Sequence, residues 1–169
     1  MKSTPTAEAA LAKLTQHAET LRDHPARSTH LLVILPAGQD WHDAPGAANA
    51  MATLKRQDRK ADALAKSALC VEQLGGYVSA WLRLDATQST FDWQTRLRKA
   101  MKPLLDEHPA RLDIAVYGDE AFRERAARAA AYVALVNGAP LPNWKSDKAP
   151  AALGQVHLIE RRAAADEGI

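Results

Sequence analysis

The sequence predicts a three-layer α/β fold in which a mixed sheet of about five or six strands is flanked by helices. Three observations lead there. Apolar runs rich in β-branched residues stand at 29–35 and 111–117, helical apolar spacing fills much of the chain around them, and Gly75-Gly76 separates two strand-like segments. At 169 residues and 47% hydrophobic, the chain is long enough for one domain with a real core and too short to expect two.

In chain order, residues 1–27 are expected to hold an N-terminal helix. Ala10, Leu11, Leu14, Ala18 and Leu21 recur at helical spacing, with Ser3 or Thr6 as a cap and Pro25 as a stop. Such an apolar stripe is ordinarily a packing face; a partner-binding helix is the sharper alternative. Residues 29–35, closed by Pro36, form a continuous apolar run that suits a strand covered on both faces. The following loop brings Asp40, Trp41, His42 and Asp43 together. His42 as a base or metal ligand, oriented by Asp40 or Asp43, would need further ligands that such a loop does not show, so the loop reads as one anchored by Trp41.

A short helix is expected over 47–54, followed by Lys55, Arg56, Arg59 and Lys60, with a resumed helix over 61–67 that carries Lys66. These five cations are the candidate nucleic-acid patch, although without interleaved aromatics a basic run is ordinarily a solvated helix end. Segments 67–74 and 77–85 read as an antiparallel pair, with Gly75-Gly76 as a two-residue hairpin turn. In the second strand Val78, Ala80, Leu82 and Leu84 alternate with Tyr77, Ser79, Trp81 and Arg83. Cys70 reads as a small buried hydrophobe rather than a nucleophile.

The next helix spans 87–107, with Phe91, Leu97, Met101, Leu104 and Leu105 as its apolar face and Pro103 as a kink or restart. After the strand at 111–117 come Gly118 and a helix over 119–136, with Phe122, Ala126, Ala129, Ala130 and Val133 inward. Gly118 alone is not a phosphate loop, because both nucleotide fingerprints need further glycines at fixed offsets. Asn137-Gly138 caps that helix, Pro140 and Pro142 impose an extended link, and 152–160 is the last strand. Residues 161–169 read as a cut-off inter-domain linker.

Composition narrows the function classes. Charged residues make up 25% of the chain and the formal net charge is +2, which does not indicate a polyanionic partner. Cys70 is the sole cysteine, so neither an intramolecular disulfide nor a thiolate metal cluster can form. The N-terminus lacks the apolar core of a secretory signal, and no window approaches the length of a membrane span. The expectation is a cytoplasmic protein without membrane association.

Three segments together resemble the N-terminal domain of the leucyl aminopeptidase family, the dinuclear-zinc cytosol aminopeptidases. They are Lys60-Ala-Asp-Ala-Leu-Ala-Lys66-Ser67 leading into a strand, Gln94 to Leu105 followed by Arg111-Leu-Asp-Ile-Ala-Val-Tyr-Gly-Asp, and Val133-Ala-Leu-Val-Asn-Gly-Ala-Pro-Leu-Pro-Asn-Trp-Lys145-Ser-Asp-Lys148. The likeness covers about residues 28–160 and its motifs are mostly structural. It implies a macro-domain-like α/β domain over those residues. It also implies that the family's catalytic lysine and its zinc or manganese ligands belong to a C-terminal peptidase domain absent from this chain. No catalytic, cofactor-binding or metal-binding position is carried over, and the chain by itself is expected to be inactive as a peptidase.

Three functions follow as expectations. The first is a non-catalytic accessory domain with an architectural or regulatory role beside a C-terminal peptidase domain, in a homo-oligomer. The second is a nucleotide or ADP-ribose binding module, which rests on fold analogy and is opposed by Asp119 and Glu120 directly after Gly118. The third is a DNA-binding regulatory domain using Lys55, Arg56, Arg59, Lys60 and Lys66, which the small net charge disfavours.

Overall fold

A computed structural model describes residues 11–17, 29–41, 43–139 and 152–160. Its strands are β1 (Lys13–His17), β2 (His30–Pro36), β3 (Leu69–Gln73), β4 (Tyr77–Leu84), β5 (Arg111–Val116) and β6 (Gln155–Glu160). The helices are α1 (Ala47–Arg56), α2 (Thr90–Leu105) and α3 (Glu120–Gly138), with a short 3-10 helix at Ala61–Ala65. The six strands make one sheet in the order β1-β6-β5-β2-β4-β3. Every neighbouring pair is parallel except β3 and β4.

β2 lies in the middle because its sequence is apolar at successive positions. Leu32 and Ile34 face one core, which α2 and α3 complete with Trp93, Leu97, Met101, Phe122, Ala126 and Ala130. Leu31, Val33 and Leu35 face the other, covered by α1 and the loop before it through Trp41, Ala47, Ala50 and Leu54. The result is the three-layer α/β arrangement expected from the two-sided apolar run. Among the described residues, no helix is long and apolar enough to cross a membrane.

The expected N-terminal helix is corrected. Within 1–27, the described residues Lys13–His17 form an edge strand that pairs with β6 from Lys13↔Gln155 to His17↔Ile159. Leu11 and Leu14, read as part of a helical face, are exposed, at 65% and 42%. The unpaired backbone edge of β6 is satisfied by the segment that can lie beside it, and this outweighs a weak local helical preference.

Four smaller corrections concern local geometry. The register Gln73↔Tyr77 leaves three residues, Leu74, Gly75 and Gly76, in the hairpin loop rather than two. Both glycines have positive φ, of 101° and 83°, as the tight reversal requires. In α2 the buried positions are Trp93, Leu97, Ala100, Met101 and Leu104, whereas Phe91 is 75% exposed. Phe91 precedes Trp93 by two residues, about 200° around a helix, so the two cannot share a face. The helix is continuous through Pro103, which lies in its last turn. The 61–67 stretch makes a 3-10 turn and does not extend α1.

Turn chemistry sets the helix starts. The Ser89 hydroxyl accepts from the Asp92 backbone N–H at 3.1 Å and donates to the Asp92 carboxylate, so α2 begins at Thr90 rather than 87. Asp119 caps α3 by accepting from the Phe122 N–H at 2.8 Å. The expected inward residues Phe122, Ala126, Ala129, Ala130 and Val133 are all buried. The expected proline link after Gly138 and the linker at 161–169 lie outside the described residues.

One ion pair is integral to the sheet. The Asp113 side chain on β5 is fully buried, and Arg111 holds it through Nε at 2.7 Å and Nη2 at 3.2 Å. Replacing Arg111 by methionine leaves a buried carboxylate short of its cation, with an expected loss of about 3 kcal/mol in urea unfolding. The double variant Arg111→Met with Asp113→Leu should recover most of that loss.

Candidate functional site

In an open α/β sheet, ligands are ordinarily held beyond the carboxyl ends of the parallel strands, where the connections leave toward opposite faces. Here β2 continues toward α1 on one face, while β4 and β5 continue into α2 and α3 on the other. A cleft of about 440 Å³ lies at that place, lined in part by Pro36, Leu84, Asp85, Trp93, Asp119 and Arg125.

Each polar group described at this cleft already serves the fold. The Arg125 guanidinium donates to the carbonyls of Ala86 at 2.8 Å and Gln88 at 2.6 Å, and lies 3.8 Å from the Trp93 ring centroid. Trp93 Nε1 donates to the Asp85 carbonyl at 2.8 Å, and its ring meets Phe122 edge-on. The Asp85 carboxylate accepts from both the backbone N–H and the hydroxyl of Thr87, at 2.9 and 2.8 Å. These bonds, the backbone one first, hold its pKa below the ordinary carboxylate value. Asp119 occupies the N-terminus of α3 that an anion would need.

Gly118 serves packing here. Its φ is 118°, and a Cβ at this position would stand 2.8 Å from the Phe122 ring and 3.3 Å from Pro36. The glycine lets β5 turn closely over β2 into α3, and no glycine-rich phosphate cradle accompanies it.

The Asp40–Asp43 loop is anchored as expected by Trp41, which is 4% exposed and tilted against Trp81 at 5.1 Å between centroids. His42 lies outside the described residues. Beneath the loop, Gln73 Nε2 donates to Ser79 Oγ at 2.9 Å and to the Gly46 carbonyl at 3.1 Å, and Trp81 Nε1 also donates to Ser79 Oγ. Asn49 donates to the Glu72 carbonyl of the edge strand at 2.7 Å. This polar network, dispersed in the sequence, ties α1 to the hairpin.

The five candidate cations occupy different local settings. Lys55 and Arg56 occupy the last turn of α1, where the helix dipole favours positive charge. Arg59 is tied to Ser67, donating to its carbonyl at 3.0 Å and its hydroxyl at 2.8 Å. Lys60 precedes the 3-10 helix. Lys66 is the one among the five that lines a second cavity, under β3, together with Cys70, Arg96 and Lys99.

Cys70 corrects the expectation of a buried thiol. Along β3, Leu69, Val71 and Gln73 are buried, whereas Cys70 and Glu72 are exposed on the other face of the edge strand. Burial of the sulfur first, and then the charges of Glu107 and Glu72, raise its pKa above the ordinary thiol value. The thiol is therefore reachable but not activated. Among the described residues, no group of three or more His, Cys, Asp or Glu side chains is placed to hold a metal ion.

No protein-family model matches the chain, and no curated protein matches it in sequence. The solved structures of similar fold include two aminopeptidases. One is a mutant of tomato leucine aminopeptidase, with a TM-score of 0.59 and 11% identity, covering 90% of this chain and 33% of that one. The other is leucyl aminopeptidase from Leishmania major in complex with actinonin, with a TM-score of 0.53 and 16% identity, covering 94% of this chain and 31% of that one. The chain thus spans about a third of the length of these aminopeptidases and shares the fold of that part.

Two outcomes follow from the site chemistry. Alkylation of Cys70 at neutral pH should be slower than that of a free cysteine and should rise as pH climbs past the ordinary thiol value, read by mass spectrometry. The folded-state pKa of Asp85 is lowered, so the stability it supplies is present above its unfolded pKa and lost as pH falls through the folded value. Asp85→Asn should accordingly be less stable than the parent at neutral pH, and the gap should close in strong acid, as followed by thermal unfolding.

Proposed function

We propose that this chain is a non-catalytic accessory domain of a leucyl aminopeptidase-like metallopeptidase, corresponding to the family's N-terminal, macro-domain-like part. The observation that carries the reading is the asymmetry of coverage. Between 90% and 94% of this chain matches the aminopeptidase structures, while only about a third of each of them is matched. The resemblance of the three segments within residues 28–160 supports the same reading.

The site chemistry is compatible with an architectural role. At the strand-end cleft, Asp119 caps α3, while Asp85, Trp93 and Arg125 hold the loop before α2 and join it to α3. The peptide-hydrolysing centre, with its zinc or manganese, is assigned to a peptidase domain that partners this one, in the same polypeptide or in an assembly with it. The role of this domain is then to shape subunit edges and access to that centre in a homo-oligomer.

An antibody to this domain tests the reading in native extracts. It should detect either a polypeptide about three times this length, as the coverage of the aminopeptidase structures implies, or a complex. Either should carry metal-dependent aminopeptidase activity. Recovery solely of an 18.4 kDa chain without such a partner overturns the proposal. So does zinc- or manganese-dependent hydrolysis of leucine p-nitroanilide by the purified chain alone.

A further inference from the structure

The cavity under β3 holds a convergence that the strand-end cleft lacks. It measures about 530 Å³ and lies between the edge strand, the turn after the 3-10 helix, and α2. Ala68 and Pro103 give it an apolar lining open to solvent, and Lys66, Arg96 and Lys99 bring three cations to it. These cations come from positions as far apart as 33 residues, so the fold assembles the group.

None of the three makes an ion pair among the described residues. Arg96 is nevertheless held in place, donating to the Leu64 carbonyl at 3.0 Å and to Gln88 Oε1 at 3.4 Å. Both partners are neutral, so its charge is uncompensated in a half-buried setting, and desolvation lowers its pKa from the ordinary arginine value. Glu72 and Glu107 act electrostatically on Cys70, yet no carboxylate lines the cavity. A fixed guanidinium flanked by two flexible ammonium groups is suited to a doubly charged phosphoryl group, which accepts several charge-assisted hydrogen bonds at once. Ala68 and Pro103 beside them suit an apolar body of the size this volume admits.

We propose that this cavity binds a phosphate monoester of an aromatic or similarly apolar small molecule, with the phosphate at Lys66, Arg96 and Lys99 and the apolar part against Ala68 and Pro103. The site is independent of the aminopeptidase reading, because it needs neither a metal nor a second domain. It also differs in location from the strand-end cleft at which a nucleotide would be sought by fold analogy.

Cys70 supplies a local reporter, since its thiol lines the same cavity. The test is maleimide labelling of Cys70 in the full chain, with 1-naphthyl phosphate as the probe and 1-naphthol and inorganic phosphate as comparators. Saturable protection by 1-naphthyl phosphate is expected, with half-protection at a concentration about tenfold or more below that of either comparator. Lys66→Ala with Lys99→Ala should weaken protection about tenfold while leaving the unfolding transition in place, because both side chains are solvent-facing. Arg96→Lys, which keeps the charge but loses the fork, should weaken it as well. Absence of protection at millimolar probe overturns the proposal. Equal protection by 1-naphthol, or protection unchanged in the double lysine variant, overturns it too.

Discussion

The structure depends on β2 being satisfied on four sides. Its backbone is paired with β4 along one edge and β5 along the other, and its side chains alternate into two separate cores. Leu31 to Leu35 are each no more than 1% exposed. A strand with apolar residues at every position cannot sit at an edge or face water, so one helical layer must cover each side. From that follow the crossing of α2 from β4 to β5 over one face and the placement of α1 on the other.

The two halves of the sheet are finished differently. On the β3 side, α1 is tied to the hairpin by hydrogen bonds through Asn49, Gln73 and Gly46, and Trp41 closes the core against Trp81. Gly46 has φ of 84°, and a Cβ there would press on Gln73 at 2.8 Å, so this contact requires glycine. On the β1 side, the same face of the sheet turns polar. Asp113 and Arg111 pair on β5, and His157 on β6 meets His17 on β1 at 2.7 Å with stacked rings. Polar pairs of this kind favour one register, because a slip of one residue would send each of them to the opposite face.

This division explains where chemistry is and is not available. At the carboxyl ends of the strands, the polar residues described there are engaged in capping α3 and bridging the loop before α2. Under β3, by contrast, the antiparallel edge strand is covered by α1 on one face and only partly by α2 on the other. Cys70 and three cations are left around a hollow there. A single added strand at a sheet edge thus creates the most distinctive chemical environment of the described fold.

Local sequence determined much of this protein. The two-sided apolar run became β2, the alternating pattern became β4, the doubled glycine became the hairpin, and Ser89 and Asp119 started α2 and α3. Each of these signals acts within a few residues, through periodicity, turn conformation or a capping hydrogen bond. Only the tertiary structure decided that Lys13–His17 is a strand, that Trp93 and not Phe91 enters the core, and that Cys70 faces outward. It alone brought Lys66, Arg96 and Lys99 together, and with them the candidate ligand cavity. Those outcomes depend on which strand lies next to which and on which face a helix covers. Such pairings are made between segments far apart in the chain, and no local pattern encodes them.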